Sequence, residues 1–196
     1  MSLTQKIVIL FSGEGSNMEA IIRSLHEKEF EGFQVQVVAT LTNNPNAKGI
    51  ERSKELGIPC EVIDHRAFES REAFDAALAQ AILAHRPNLT VLAGFMRILS
   101  PLFIRQVRAI NIHPSLLPLF KGGNAMQESY LSPMKVAGVS VHYVSEELDS
   151  GDLIAQEAMG KIEGESFEEF KARLHALEHR LYPEAILRVL KEGAAF

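Results

Sequence analysis

Short runs of Val, Ile and Leu alternate with segments of helical periodicity along most of the chain, and no other feature limits the fold so strongly. Residues 6–11, 34–41, 89–93 and 109–112 are runs rich in Val, Ile and Leu and bounded by turn formers, as strands buried on both faces are. Residues 61–63 make a weaker strand. Between these runs apolar residues recur on one helical face: Met18, Ala20, Ile21, Ile22 and Leu25 within 17–27, and Phe74, Leu78, Ile82 and Leu83 within 71–84. Asn44-Pro45 and Ser100-Pro101 each pair a capping residue with a proline suited to a first turn, so helices are predicted over 45–56 and from 101. Repeated strand and helix units predict an α/β fold, a doubly wound, mostly parallel sheet with helices on both faces. Residues 139–144 and 153–159 alternate less regularly and belong at the sheet's far edge. Residues 166–191 close the chain as a helix or two, broken near Pro183.

A chain of 196 residues that is 46% hydrophobic, without a break in composition, is expected to form a single domain over 1–196. Its formal charge of −5 leaves no basic stripe for a nucleic-acid backbone. Cys60 is the only cysteine, which rules out an intrachain disulfide and fits a small buried hydrophobe in a reducing compartment. No apolar run is long enough for a bilayer or a signal-peptide core, so a cytoplasmic protein with no membrane partner is expected.

Doubly wound sheets bind ligands beyond the carboxyl ends of their strands, which here means Phe11-Ser12, Gly94-Phe95 and His113. The last end begins Asn111-Ile112-His113-Pro114-Ser115-Leu116-Leu117-Pro118. Alternation along an extended backbone sends Asn111 and His113 to one side and Ile112 to the core, and Pro114 bars His113 from helical geometry. An amide and an imidazole side by side suit oxyanion stabilisation and proton transfer; they equally suit a strand end that ties down a loop. The first end carries Ser12-Gly13-Glu14-Gly15-Ser16-Asn17 between a strand and a helix, a ready phosphate site, or a tight turn with Ser16 or Asn17 as cap. Met18 stands where a dinucleotide fingerprint needs its third glycine. The second strand ends Leu41-Thr42-Asn43-Asn44 without a ribose-binding carboxylate, and no Gly-Lys-Ser/Thr is present after the loop, so one terminal phosphate is the best guest.

Two further stretches carry reactive groups. His175-Ala176-Leu177-Glu178-His179 has the form H-x-x-E-H, yet no third ligand accompanies it, and surface or core histidines are expected rather than zinc. Glu178 then remains available to an amine or a sugar hydroxyl. Glu146, Glu147, Asp149 and Asp152 surround a Ser-Gly turn and are read mostly as a solvated loop, with one carboxylate able to fold back on His113 and orient its ring.

Five blocks in order then resemble the glycinamide ribonucleotide formyltransferases, the phosphoribosylglycinamide formyltransferase family of folate-dependent enzymes. They are Ser-Gly-x-Gly-Ser-Asn at 12–17, Ala-Gly-Phe-Met-Arg-Ile-Leu-Ser at 93–100, the Asn-Ile-His-Pro-Ser-Leu-Leu-Pro block, Ser-Val-His at 140–142 with Leu-Asp at 148–149, and Glu-His-x-x-Tyr-Pro at 178–183. The resemblance implies a Rossmann-like formyltransferase fold and formyl transfer from 10-formyltetrahydrofolate to glycinamide ribonucleotide in purine biosynthesis. It assigns catalysis to Asn111, His113 and Asp149, the substrate phosphate to Gly15, Ser16 and Asn17, and the glycinamide end to Glu178. Folate binding falls to Leu92, Met96, Arg97, Ile98, Leu99 and His142, with Ser145, Glu146, Glu147 and Leu148 closing the pocket and Arg71 joining Arg97 at the glutamate tail. The folate is a cosubstrate; no metal or tightly held cofactor is implied, and the chain is expected as a monomer or homodimer. A formyltetrahydrofolate hydrolase would use the same triad with water but carries an additional N-terminal domain. A methionyl-tRNA formyltransferase carries a C-terminal one. A catalytically inactive phosphoribosyl-binding module is the non-enzymatic alternative. The chain departs from the family at Lys121-Gly122-Gly123-Asn124-Ala125-Met126, where better-known members carry a histidine that Asn124 would replace.

Overall fold

The computed structural model describes residues 3–193. Its centre is β1 (Leu3–Phe11), paired in parallel with β3 (Phe33–Thr42) on one side and β5 (Leu89–Leu92) on the other. Between β1 and β3 come α1 (Ser16–Leu25) and β2 (Lys28–Phe30). The chain then moves outward through α2 (Gly49–Glu55) to β4 (Cys60–Val62), which pairs in parallel with β3. It returns through α3 (Arg71–Ala84) to β5, so the direction of winding reverses between β1 and β5. Beyond β5 lie α4 (Pro101–Gln106), β6 (Ala109–His113), α5 (Ala125–Leu131), β7 (Val136–Tyr143), β8 (Leu153–Gly160) and α6 (Phe167–Gly193). The eight-stranded sheet is thus mixed but mostly parallel through its centre, with β2, β7 and β8 antiparallel to their neighbours.

Each face of the sheet carries its own core, dictated by period-two alternation along β1. Ile7, Ile9 and Phe11 face α1 and α6, while Val8 and Leu10 face Phe74, Leu78 and Ile82 of α3 and Phe103 of α4. β3 changes faces midway. Val35 and Val37 lie in the first cluster and Ala39 and Leu41 in the second, because the register with β1 slips one residue after Ile7–Val37.

The boundaries correct several expectations. The helix from residue 17 stops at Leu25, and Gly32 at φ 94 turns the chain back as a hairpin of β2 on β3, for which three residues gave no periodicity. Asn44 does not start a helix: its Oδ1 accepts the Asn46 N–H at 3.0 Å and its Nδ2 donates to the Ser12 carbonyl at 3.1 Å, which delays α2 to Gly49. Leu83 is 44% exposed, since the 100° step from buried Ile82 turns it away from the sheet. Pro183 does not break α6. It costs one backbone bond, but Leu181, Tyr182, Ala185 and Ile186 continue the buried stripe across it, and the Tyr182 hydroxyl reaches the carbonyls of Leu92 (2.8 Å) and Ile110 (3.1 Å). No helix among the described residues is long and apolar enough to cross a membrane.

Candidate active site

The reversal between β1 and β5 opens a crevice at their carboxyl ends, and backbone bonds from Ala93 to Leu10 and from Ser12 to Gly94 fix its floor. Ser12 organises the segment after β5: its hydroxyl donates to Asn43 Oδ1 at 2.6 Å and accepts the Met96 N–H at 2.8 Å. Asp75, fully buried on α3, accepts the Ser100 N–H at 2.6 Å and ties down the other end of the same segment. Gly94–Ser100 is therefore held at both ends.

Two cavities flank that segment. One, of about 330 Å³, is walled by Leu92, Met96, Arg97, Ile98 and Leu99 on one side and by His142 and Ser145–Asp149 on the other, with Asn111 and His113 at its base. Met96, Ile98 and Leu148 expose apolar surface at its mouth, a wall suited to a flat ring. The other, of about 490 Å³, lies over the start of α1 and takes in Ser16, Asn17, Asn43, Asn44, His65 and His175. The cavities share Gly94, Met96 and Arg97.

Asn111 and His113 project from one face of β6 while Ile110 and Ile112 enter the core. His113 Nε2 lies 2.8 Å from the Phe120 carbonyl; a carbonyl only accepts, so Nε2 carries the proton and Nδ1 faces Asp149 Oδ2 at 3.5 Å. Asp149 is 9% exposed and, among the described residues, its side chain takes one bond, from the Gly122 N–H at 2.8 Å. Its Oδ1 lies 3.7 Å from His142 Nε2. His142 donates from Nδ1 to the Tyr143 carbonyl at 2.9 Å, leaving Nε2 to accept from Asn111 Nδ2 at 3.3 Å. Burial pushes the His142 imidazole below its ordinary value of 6.5, against the Tyr143 carbonyl and the Asp149 charge, so the ring stays neutral near pH 7 and can accept. That bond sets which end of the Asn111 amide faces His142, and among the described residues no acceptor takes the second N–H.

At the other cavity, Gly15 caps α1 at φ 75, a conformation in which a side chain is strained, and a Cβ there would come 2.9 Å from Gly49 Cα. Ser16 and Asn17 thus form the first turn rather than a side-chain cap, with backbone N–H groups directed at the cavity end. Glu178, 4% exposed on α6, accepts from Asn17 Nδ2 and pairs with His175 Nδ1, each at 2.9 Å. Among the described residues no group of three or more His, Cys, Asp or Glu side chains is placed to hold a metal ion.

Two expected residues lie elsewhere. Arg71, at the first position of α3, pairs with Glu72 and does not line the cleft. Asn124 is exposed at the start of α5, and Gly122 and Gly123 line the cleft instead. Sequence reading missed Asn43, Asn44, His65 and His175 in the second cavity. The available signal for the asparagines was their position at a strand's carboxyl end, the same criterion that singled out His113.

An open doubly wound sheet with half-buried Asn111 and buried His113 and Asp149 lining a cleft beside its switch point places the protein in the Rossmann-like class. Residues 5–186 match the family described as formyl transferase. The structure superposes on phosphoribosylglycinamide formyltransferase from Campylobacter jejuni subsp. jejuni NCTC 11168 with a TM-score of 0.94 and 51% identity, covering 96% of this chain and 99% of that one. The phosphoribosylglycinamide formyltransferase of Bacillus subtilis strain 168 is 37% identical over 188 residues, 95% of each chain. The trifunctional purine biosynthetic protein adenosine-3 of Bos taurus is 37% identical over 96% of this chain, which spans 18% of that protein. The chain belongs to the formyl transferase family, in its phosphoribosylglycinamide formyltransferase branch.

Proposed function

We propose that the protein transfers the formyl group of 10-formyltetrahydrofolate to the amine of glycinamide ribonucleotide, in the cytoplasm, as a step of purine biosynthesis. One observation carries the reading: Asn111, His113 and Asp149 meet in the cleft that shares Gly94, Met96 and Arg97 with the cavity over α1. The folate's pterin would lie against Met96, Ile98 and Leu148, with Arg97 toward its glutamate tail. The substrate's phosphate would meet the first turn of α1, and Glu178 would order Asn17 and His175 around the ribosyl end.

In the step itself the substrate nitrogen attacks the formyl carbon, the carbonyl oxygen becomes an oxyanion, and the bond from carbon to the folate nitrogen then breaks. The free N–H of Asn111 stabilises the oxyanion, and a proton taken up at His113 Nδ1 adds positive charge beside it. Asp149, across from that nitrogen, stabilises the charged ring and assists passage of the proton from the attacking amine to the departing folate nitrogen. The test is folate turnover with and without glycinamide ribonucleotide. Turnover dependent on the ribonucleotide is expected; equal turnover in water alone would identify a formyltetrahydrofolate hydrolase.

The phosphate assignment makes a separate prediction. Asn17→Ala removes one of the two partners of Glu178 and loosens the turn that meets the phosphate, far from the reacting carbon. Because that contact is alike in ground and transition states, the KM for the ribonucleotide should rise with little change in kcat. A defect confined to the KM for folate in steady-state kinetics would show the loop to be misassigned.

A further inference from the structure

One turn in the loop after β6 holds both His113 and Asp149. The turn Phe120-Lys121-Gly122 comes just after cis Pro118, with Phe120 at φ 55 and Gly122 at φ 85. Its first residue presents the carbonyl that accepts from His113 Nε2 at 2.8 Å; its last presents the N–H that bonds Asp149 Oδ2 at 2.8 Å. Ser115 Oγ, 2.6 Å from the Leu119 carbonyl and 3.3 Å from that of Phe120, braces the turn from the strand side. Between these two contacts Lys121 leaves the cleft and reaches the opposite loop, where its Nζ lies 2.5 Å from Ser150 Oγ and 3.4 Å from Glu147 Oε1.

Consecutive residues of one loop are therefore bonded to consecutive residues of the other, Lys121 to Ser150 and Gly122 to Asp149. We propose that Lys121 is a positioning residue, a latch that holds the 120–122 turn against the 145–150 loop so that His113 Nδ1 and Asp149 stay face to face. The inference rests on the transfer reading for what the pair does, but not for the latch itself. Asp149 is buried and the imidazoles of His113 and His142 stand 3.5 and 3.7 Å from it, too far to fix its carboxylate, so its place depends on the Gly122 N–H. A single backbone donor on a turn with two left-handed residues keeps its direction only if the turn is anchored. The Lys121–Glu147 pair is exposed and contributes little to stability. The latch consequently acts on placement, and small misplacements of reacting groups are costly in rate.

Lys121→Met removes both contacts of the latch and Ser150→Ala its shorter one, without touching Asn111, His113 or Asp149. Each should lower kcat on the order of tenfold to a hundredfold with both KM values and the melting temperature nearly unchanged. Lys121→Arg, which keeps a donor in reach of Ser150, should recover most of the loss. In an Asp149→Ala background Lys121→Met should cost little further, because the pair that the latch keeps face to face is already broken. Wild-type kcat in both latch variants, a loss that multiplies with Asp149→Ala, or a loss matched by a fall in melting temperature would overturn the latch. Failure of the acceptor reading would show separately, as wild-type turnover without ribonucleotide, and the variants would then be compared on that hydrolysis.

Discussion

Asp149→Asn should lower turnover by roughly 100- to 10,000-fold, the range that general acid–base assistance supplies, while weakening binding of either substrate far less. The substitution keeps the shape of the side chain and one oxygen for the Gly122 N–H. It removes the negative charge 3.5 Å from His113 Nδ1, where the ring's second proton resides when charged. An amide nitrogen placed on the other side would also face His142 Nε2, now 3.7 Å away, and compete with Asn111 for that acceptor. If His113 and Asp149 act as one unit, Asp149→Asn combined with His113→Ala should be little worse than His113→Ala alone. Single-turnover rates on the three variants decide it. Full activity in Asp149→Asn, or clean multiplication of the two defects, would reduce Asp149 to a turn residue at φ 50.

Asn111→Asp should be as severe for a different reason. The amide donates to His142 Nε2 at 3.3 Å and has a second N–H to offer the oxyanion; a carboxylate offers neither and adds negative charge where negative charge develops. Loss of one preorganised oxyanion donor alone costs about 100- to 1,000-fold, so Asn111→Asp is expected at or beyond that range. Asn111→Ala separates the two causes, since it deletes the donor without adding charge, and it should be the milder variant. Equal turnover of wild type and Asn111→Ala, with folding verified by thermal melting, would remove Asn111 from the oxyanion site.

Most of the strand and helix framework was legible because it rests on local periodicity. The apolar residues of β1 and Met18, Ile21, Ile22 and Leu25 of α1 fall on the faces their spacing assigns, and Pro114 keeps His113 extended, so Asn111 and His113 emerge together. The failures have a common origin. Leu83, Pro183 and Asn44 each have a local preference that a neighbour overrides: the stripe already filled by Ile82, the packing of α6 across its proline, and the Ser12 carbonyl that claims the Asn44 side chain. The slip between β1 and β3, which sends Val37 and Ala39 to opposite faces, leaves no mark in Val37-Val38-Ala39, where all three residues are apolar.

The chain's sequence by itself determined the class of sheet, the strand ends that line the cleft and the candidate groups Asn111 and His113 on one of them, since each depends on residue types within a turn or two of one another. Only the tertiary structure decided their partners. Asp149 meets His113 across 36 positions of chain, Glu178 meets Asn17 across 161, and the donor to Asp149 is the backbone of Gly122 rather than any side chain at 124. Side-chain type carries no information about a backbone N–H that every residue but proline possesses. That N–H is aimed by the left-handed turn at 120–122 and the loop packed against it, and these exist only once β6, β7, β8 and the segments between them are folded together.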